Sequence, residues 1–463
     1  MDLTAARAAL AHLEIDDNPV SVRAKSRDFF WYSPVLKARL DHVTADFVVS
    51  PRGEAEVVEV LRVAHATGVP VTVRGAGTGN YGQAMPLAGG IVLHMRNMAR
   101  VLSVDPGRVV TEPGALLKEV DDAARPSGQE IRMFSSTYAT ATVGGFIAGG
   151  SGGVGSCTWG VLRDLGNIIR LRVVTAEAEP QVHDFTGEAL HRVSHAYGTN
   201  GVITALELPL APAYDWVEIF VTLPDFAEAV GYAGDLGDQD GILKKLVSVY
   251  EPPIPQAYFA RVAPHVAPGD TLLGLMIAPH AMDGFLTHLA RFPGARLIFR
   301  SDGPAWPKAP GPVYEYGWNH TTLRALKVDP QITYLQVRYP PGDYAARIAA
   351  VRAAFPGEVI QHLELMRERG RTMFAGLSLV RFTTEARLDA IVAAHEAMGC
   401  MVFNPHRYTL EEGGRQSVDA DQLAFKRKAD PRGILNPGKM IAWDDPDWAY
   451  DRMYAAPQLR AAE

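Results

Sequence analysis

The segment from Met133 to Leu162 carries no charged residue and is dense in glycine. It is long enough to span a bilayer, which takes about 20 apolar residues. Glycine weakens helices, however, and lipid would leave the backbone polar groups of a non-helical segment unsatisfied. The sequence therefore predicts a segment whose backbone closely approaches other protein or a ligand. Its glycines are Gly144, Gly145, Gly149, Gly150, Gly152, Gly153, Gly155 and Gly160.

Length and composition limit the domain organisation and the partners. A chain of 463 residues predicts two or three domains, because one hydrophobic core rarely grows beyond about 250 to 300 residues. The formal net charge of -7 gives no basic surface for nucleic acid. Only Cys157 and Cys400 occur, which excludes a disulfide framework. The N-terminal residues do not resemble a signal peptide, so we expect a cytoplasmic protein without a membrane span.

Hydrophobic periodicity divides the chain into four parts. Residues 1–40 form an N-terminal arm, read as helix, loop and helix around the aromatic run DFFWYSP. Residues 41–214 begin with a strand, a helix and a strand in ADFVVSP, EAEVVEVLRVAHATG and VPVTVRG. Residues 215–400 alternate strands with helices and predict an α+β cap on an antiparallel sheet. Residues 401–463 have few strand signals and are expected to return to the first domain.

Four short motifs match functional patterns but lack the required context. GTGNYG matches a dinucleotide-binding fingerprint, yet no helix follows it. GILNPGKM has methionine where a phosphate-binding loop needs Ser or Thr. GGSGG lacks the strand, turn and helix of a hydrolase nucleophile. HRVSH has neither the glutamate nor a third ligand for zinc, so we expect no metal site.

Two glycine-rich segments remain, RGAGTGNYGQ and TATVGGFIAGGSGG. Each exposes several backbone amides where no side chain intrudes. Two such segments suit a diphosphate joined to a flat ring system, whereas one alone would more simply be a set of tight turns. Neither segment offers acidic ligands for magnesium, which disfavours an ATP site and favours a self-contained redox cofactor.

The same segments occur in this order in a known family. With YGTNGVITALEL and DPRGILNPGKM, they resemble the FAD-binding oxidoreductases of the vanillyl-alcohol oxidase and p-cresol methylhydroxylase (PCMH-type) superfamily, most closely the glycolate oxidase and D-lactate dehydrogenase branch. The resemblance covers the first domain and the tail but not the cap. It implies an α+β protein in which a PCMH-type FAD-binding domain of two α/β subdomains carries a substrate cap.

The resemblance also implies which residues bind FAD. The first segment lies around the pyrophosphate and the second towards the isoalloxazine and ribityl chain, while one strand presents its backbone to the adenine. The C-terminal N-P-G-K completes the site. The implied residues are Arg74, Gly75, Ala76, Gly77, Thr78, Gly79, Asn80, Gly82, Gln83, Thr137, Thr142, Gly144, Gly145, Gly149, Gly152, Gly153, Ser156, Val202, Ile203, Asn436 and Lys439.

Two departures from the family concern how FAD is held. Thr78 stands where some relatives attach FAD through histidine, and Tyr138 stands where others use cysteine. We therefore expect non-covalent FAD, while a histidine donated by the cap, as some relatives use, is the remaining route to a covalent link.

Oxidising an alcohol requires a base that takes the hydroxyl proton as the hydride leaves, and histidine suits this role. We expect His406 to be the base, with His320 as the second candidate. Arg407 or Arg338 would bind the carboxylate of an anionic substrate. Alternatively, Arg407 and Tyr408 resemble the pair with which phenol-oxidising relatives hold a phenolate.

The resulting hypothesis is an FAD-linked oxidase or dehydrogenase that transfers a hydride from an alcohol, in the first instance a 2-hydroxy acid, to flavin N5. Two alternatives remain open. One is a para-hydroxyaryl alcohol oxidase of the vanillyl type, and the other is a flavin-binding protein without catalysis of its own. The partner is a small molecule, and the sequence does not distinguish oxygen, a quinone or a carrier protein as the electron acceptor.

Overall fold

The N-terminal arm contains three helices and a short strand, one helix more than predicted. The structure is a computed structural model that describes residues 1–449. The elements of the arm are α1 (Leu3–Ala9), β1 (Ile15–Asp16), α2 (Pro19–Lys25) and α3 (Pro34–Leu40). Helices α2 and α3 begin at prolines, and the side chains of Asn18 and Ser33 cap them by accepting hydrogen bonds from first-turn amides.

The first sheet of the first domain contains the predicted strand, helix and strand. Its elements are β2 (Phe47–Val49), α4 (Glu54–Thr67), β3 (Val71–Arg74) and β4 (Ile91–His94). The strand order is β1-β2-β4-β3, and β2 and β3 both pair with β4 in parallel. Helix α4 buries Val57, Val60, Leu61 and Ala64, the spacing of one helical face. It ends at Gly68, whose φ of 67° suits glycine.

A second, antiparallel sheet completes the first domain. Its strands are β5 (Val101–Asp105), β6 (Arg108–Thr111), β7 (Gln129–Ile131), β8 (Arg170–Val174), β9 (Val182–Phe185) and β10 (Val202–Pro212). The order is β5-β6-β10-β8-β9, and β7 also pairs with β10. The accompanying helices are α5 (Leu117–Ala124), α6 (Val143–Gly149) and α7 (Ser156–Trp159), the last two within the glycine-dense segment.

The cap is built on antiparallel strands, as predicted. Its strands are β11 (Val217–Leu223), β12 (Lys244–Tyr250), β13 (Thr271–Ile277), β14 (Arg296–Arg300), β15 (Ile332–Tyr334), β16 (Gln336–Tyr339), β17 (Val359–Ile360), β18 (His362–Glu368), β19 (Arg371–Gly376), β20 (Leu379–Arg381) and β21 (Met401–Phe403). The main sheet has the order β14-β11-β13-β12-β18-β19-β16-β21, and a small sheet has the order β15-β20-β17. The segment ITYLQVRY, residues 332–339, is divided between these two sheets.

The helices of the cap are α8 (Phe226–Gly237), α9 (Ile254–Tyr258), α10 (Met282–Leu289), α11 (Asn319–Leu326), α12 (Tyr344–Ala354) and α13 (Glu385–Ala397). Strand β21 pairs with β16, so the cap sheet takes its edge strand from residues just past the predicted boundary at residue 400. Within residues 1–449, no helix is both long and apolar enough to cross a membrane.

The C-terminal segment returns to the first domain. It contains α14 (Ala420–Ala429) and α15 (Ile441–Asp444). Between these helices the chain runs beside β3, where the amide of Val71 donates to Ile434 O and the amide of Asn436 donates to Val71 O, each at 2.8 Å. The buried Lys426 ammonium lies 2.5 Å from Asp430 and also donates to Thr199 O at 2.9 Å. Residues 450–463 of the predicted segment lie outside the described residues.

A buried ion pair joins the cap to the first domain. Lys245 on β12 lies 2.6 Å from Glu130 on β7, and both side chains are almost fully buried. Glu130 also accepts a hydrogen bond from Trp216 Nε1 at 2.9 Å and pairs with Arg125. The backbone carbonyl of Lys245 accepts a hydrogen bond from Gly155 N at 2.7 Å. The glycine-dense segment is therefore packed directly on the cap.

Lys245→Met should lower the free energy of unfolding by about 3 to 5 kcal/mol, because it leaves Glu130 charged and buried without its closest cation. Urea unfolding monitored by circular dichroism measures this loss. Lys118→Met, which removes an exposed pair with Asp122, should cost no more than about 1 kcal/mol. Equal losses in both variants would contradict this account of the domain interface.

Candidate cofactor and substrate site

A large cavity lies where the two glycine-rich segments, the arm and the cap meet. It contains about 1700 Å³ of space, including its opening to solvent. Two-thirds of the residues that the sequence assigned to the cofactor line it. They are Gly75, Ala76, Gly77, Thr78, Gly79, Asn80, Gln83, Thr137, Thr142, Gly144, Gly145, Gly149, Gly152 and Ile203.

The two glycine-rich segments touch each other at Gly75. A Cβ atom on Gly75 would lie 2.0 Å from Oγ1 of Thr142, which caps α6 by accepting a hydrogen bond from Gly145 N at 3.2 Å. A Cβ atom on Gly144 would lie 2.9 Å from Pro113 O. Gly145 differs, because beyond its chain neighbours and its own helix backbone the added Cβ would meet one side-chain atom, Thr142 Oγ1 at 2.9 Å, and no opposing backbone. Glycine at 75 and 144 is thus required by protein packing, whereas a Cβ at Gly145, which lines the cavity, would displace only the hydroxyl of Thr142.

The first segment presents backbone amides to the cavity. Among residues 1–449, no hydrogen-bond acceptor is found for the amides of residues 76–80, which all line the cavity. Gly77 has a φ of 71°, a conformation that favours glycine. A run of unpaired amides around such a turn binds anions, because every backbone N–H requires an acceptor. This segment has the chemistry expected for a pyrophosphate.

The C-terminal N-P-G-K residues hold this segment from behind rather than lining the cavity. Lys439 Nζ donates to Gly82 O at 2.6 Å, and Asn436 Nδ2 donates to Gln83 O at 2.8 Å and to Tyr197 O at 2.7 Å. Burial lowers the pKa of Lys439 to about 7. Lys439 thus donates to a backbone carbonyl, and it does not line the cavity although the family resemblance implied it as a residue that binds FAD.

Five other predicted cofactor residues also lie outside the lining. The Arg74 guanidinium donates to Ala76 O at 3.1 Å and to Arg27 O. Ser156 Oγ accepts from Gly153 N at 3.0 Å. The five residues are Arg74, Gly82, Gly153, Ser156 and Val202, and they lie behind the residues that line the cavity.

The N-terminal arm supplies one wall of the cavity, through Asp28, Phe29 and Tyr32. The amide of Phe29 donates to Gly79 O at 2.6 Å, and Tyr32 O accepts from Thr333 Oγ1 of the cap at 2.9 Å. Burial raises the pKa of Asp28 to about 6. The sequence pattern placed no site residue in the run DFFWYSP, and only its density of aromatic residues offered a signal for this role.

The cap lines the opposite side with Trp318, Asn319, His320 and Gln336. Trp318 has a φ of 51°, an unusual conformation for a large residue. Its amide donates at 2.6 Å to the buried carboxylate of Glu364. His320 Nδ1 lies 2.8 Å from Glu315 Oε2. His320 is the predicted catalytic candidate that the structure brings to the cavity.

His406, the first choice for the catalytic base, does not line the cavity. Its Nε2 lies 2.9 Å from Tyr334 O and its Nδ1 lies 2.7 Å from Ser33 Oγ. A carbonyl only accepts, so Nε2 carries the proton and Nδ1 accepts from the serine hydroxyl. Burial lowers the pKa of His406 to about 3. The ring links the arm, the cap and the C-terminal segment, and both of its nitrogens are occupied.

The other three predicted catalytic residues also lie elsewhere. Arg407 pairs with Glu385 at 2.9 Å and with Asp389 at 3.0 Å. Arg338 forms a two-point ion pair with Glu368. The ring of Tyr408 lies 4.8 Å from the Lys439 ammonium. Within the described residues, the cavity lining contains neither lysine nor arginine.

Comparison with known proteins identifies the first domain. Residues 45–182 match the family described as FAD binding domain. The chain is 31% identical over 192 residues to a D-lactate dehydrogenase of Archaeoglobus fulgidus, covering 40% of this chain and 43% of the relative. It is 29% identical over 198 residues to a glycolate oxidase subunit of Escherichia coli, covering 41% and 39%. The chain thus spans about two fifths of the length of these relatives.

The overall fold also has a solved counterpart. An alkyldihydroxyacetonephosphate synthase superposes with a TM-score of 0.72 at 16% identity, covering 94% of this chain and 86% of the synthase. At this identity the similarity concerns the fold, and it extends over the cap that the sequence could not assign. The predicted fold class, a PCMH-type FAD-binding domain with an α+β cap, is confirmed, as is FAD as the cofactor.

Gly145→Val should lower FAD affinity at least tenfold, because the added methyl groups enter the cavity where no backbone opposes them. Acid extraction followed by absorbance measures the flavin per chain, and dialysis against known FAD concentrations measures the affinity. Gly231→Val is the control, since Gly231 lies in helix α8 of the cap and its Cβ position has no atom within 4 Å beyond its chain neighbours and its own helix backbone. A folded Gly145 variant with parental affinity would show that this segment does not contact FAD.

Because of His406, the free energy of unfolding should decrease as the pH is lowered. Its pKa in the fold is about 3 against 6.5 for the free side chain, so below pH 6.5 the unfolded chain binds a proton that the folded chain does not. At pH 5 this difference is worth about 2 kcal/mol. Urea unfolding at pH 7.5 and 5 should show that His406→Gln loses about 2 kcal/mol less than the parent on acidification. His12→Gln, at an exposed position, should behave like the parent, and an unchanged pH dependence in His406→Gln would refute the assignment.

Proposed function

We propose, from the FAD binding domain that residues 45–182 form, that this chain is an FAD-dependent oxidoreductase that oxidises an alcohol. One observation carries this proposal. The glycine-rich segments of the FAD binding domain and a paired histidine of the cap, His320, line the same cavity. A cofactor cradle and a titratable side chain facing one space are the minimum requirement for oxidation at a carbon that bears a hydroxyl.

The residues of the cavity fit FAD. The unpaired amides of residues 76–80 suit its pyrophosphate, and the backbone at Gly145, which lines the cavity without a side chain, suits a flat ring. When bound, FAD supplies the acceptor for the hydride. We infer non-covalent attachment for three reasons. Thr78 and Tyr138 stand at the two positions where relatives carry the linking side chains, and the Tyr138 hydroxyl is bonded to Asp121 at 2.7 Å. Nδ1 of His320, a cap histidine that lines the cavity, is bonded to Glu315.

His320 is the base in this proposal. This residue lines the cavity, and its side chain is 14% exposed. In the neutral ring one nitrogen donates and the other accepts, so an imidazole whose Nδ1–H is engaged offers Nε2 to a substrate hydroxyl. Asn319 and Gln336 from the same wall offer amide groups that orient a polar substrate.

Two substrate classes compete. The names of the relatives, D-lactate dehydrogenase and glycolate oxidase, favour a 2-hydroxy acid. A neutral aryl alcohol is favoured by the lining, which lacks lysine and arginine among the described residues and includes Phe29, Tyr32, Trp318 and Phe403. A buried carboxylate without a cation is costly, whereas aromatic walls pack well on a ring.

Anaerobic mixing of the purified flavoprotein with each class separates them. The panel is glycolate, D-lactate, L-lactate, 2-hydroxyglutarate, vanillyl alcohol and benzyl alcohol, with loss of flavin absorbance as the readout. Bleaching by any of them supports the proposal and identifies the class. Dithionite provides the control that the flavin is reducible. A flavin that dithionite bleaches and no alcohol reduces would favour a flavin-binding protein without catalysis of its own.

His320→Gln should slow flavin reduction by about 10²- to 10⁴-fold, the usual contribution of a positioned base. FAD content should remain at the parental level, because the change leaves both glycine-rich segments intact. Stopped-flow absorbance with the best donor of the panel measures the rate. His65→Gln is the control, since His65 is bonded to Ala176 O and lies outside the cavity lining. Reduction of His320→Gln at the parental rate would remove His320 from the mechanism.

A further inference from the structure

We propose that Glu315 is a positioning residue, whose carboxylate fixes the ring orientation and the tautomer of His320. This inference rests on the proposed function, in which His320 is the base. Sequence reasoning did not single out Glu315, which precedes the cavity-lining residues by one short turn.

The contact between the two side chains determines the tautomer. Glu315 Oε2 lies 2.8 Å from His320 Nδ1. An ionised carboxylate can only accept, so the hydrogen of the neutral ring must be on Nδ1, and Nε2 is left with its lone pair. The hydrogen bond to His320 also lowers the pKa of Glu315, so the carboxylate stays ionised near neutral pH. Without this partner, both tautomers of the ring would be populated.

The backbone around this pair is fixed at several points. His320 N donates to Gly317 O at 3.1 Å, and Arg324 Nε on α11 donates to Glu315 O at 3.1 Å. Between them, Trp318 keeps its φ of 51° because its amide is bonded to Glu364. A Cβ atom on Gly317 would lie 2.7 Å from Glu364 Oε1, so glycine is needed there for this approach.

Glu364 is itself held in place by hydrogen bonds with neighbouring cap residues. It accepts from Ser248 Oγ at 2.6 Å and lies 2.8 Å from His362 Nε2, and it is 1% exposed. A non-glycine residue with positive φ is unfavourable and is found mainly at functional sites, where the surrounding structure enforces it. The backbone from Glu315 to His320 is therefore held in one conformation at the cavity wall, and a catalytic base requires such a fixed position.

A purely structural role accounts for these features less well. The Glu315 side chain is 36% exposed, and ion pairs with that much solvent contribute little to stability. The cap has another imidazole–carboxylate contact, between His288 and Asp235 at 2.9 Å, which lies outside the cavity lining. That pair provides an internal comparison, because it has the same chemistry without access to the cavity.

The test uses the FAD-loaded full chain with ¹⁵N-labelled histidine. In the parent, the ring nitrogens of His320, assigned by their loss in His320→Gln, should show a protonated Nδ1 and an unprotonated Nε2. In Glu315→Gln, whose amide can donate or accept, this signature should change to a mixture of tautomers. Retention of the parental signature in Glu315→Gln would overturn the proposal.

Kinetics provide the second readout. Glu315→Gln should slow flavin reduction at saturating donor by about 10- to 100-fold, the loss that is typical when the carboxylate partner of a metal-binding histidine is removed. FAD affinity and the donor concentration for half-maximal rate should change by less than a factor of about 3, a smaller effect than the loss in rate. Asp235→Asn, the control that frees His288, should reduce at the parental rate. A Glu315→Gln enzyme reduced as fast as the parent would also overturn the proposal.

The two hypotheses fail in different ways. If no alcohol reduces the parent, the proposed function fails, while the nitrogen spectrum of His320 still reports whether Glu315 sets the tautomer. If the parent is reduced and Glu315→Gln keeps both the parental spectrum and the parental rate, only the role of Glu315 fails.

Discussion

The contact between Gly75 and Thr142 is the constraint on which the cavity depends. The first glycine-rich segment leaves β3 at this point and crosses the N-terminus of α6, with no room for a side chain between them. Any β-carbon at position 75 would push the two segments apart, because the opposing atom belongs to the residue that caps the helix. The distance between the two segments, and hence the width of the cofactor cradle, is set by this single close approach.

Other parts of the chain stabilise the positions of the two glycine-rich segments by hydrogen bonds and ion pairs on the side away from the cavity. Lys439 and Asn436 donate to carbonyls of the first segment. The Lys245 side chain binds Glu130, and its backbone carbonyl accepts from the amide of Gly155, next to the second segment. His406 joins the arm to the cap. Each of these groups is buried and bonded to a partner from another part of the chain. Removing one partner of a buried pair costs more free energy than removing one partner of an exposed pair. The polar residues around the cradle thus stabilise shape, while backbone amides face the space inside.

The glycine-rich segments were predictable from local residue type, and the fold class was predicted from the resemblance of these segments to a known family. Glycine where the backbone must approach closely, and hydrophobic spacing in α4 and the cap strands, are visible without tertiary structure. The choice between His406 and His320 was not visible in this way. Each is a histidine beside polar neighbours in sequence, and only the fold shows that Ser33 and a carbonyl take both nitrogens of His406. Likewise, Arg407 looked available for a carboxylate until Glu385 and Asp389 were seen to occupy it. Hydrogen bonds and ion pairs between residues distant in sequence decide which polar side chains are available to a substrate, and residue type alone does not show these contacts.

The wall of the cavity is drawn from distant parts of the chain, from Asp28 and Phe29 in the arm to Gly413 and Gly414 in the C-terminal segment. Asn436 and Lys439, which hold the first glycine-rich segment from behind, follow every one of these lining residues in the chain. A chain truncated before Asn436 would therefore keep all the residues that line the cavity and lose two of the side chains that hold the first segment in place.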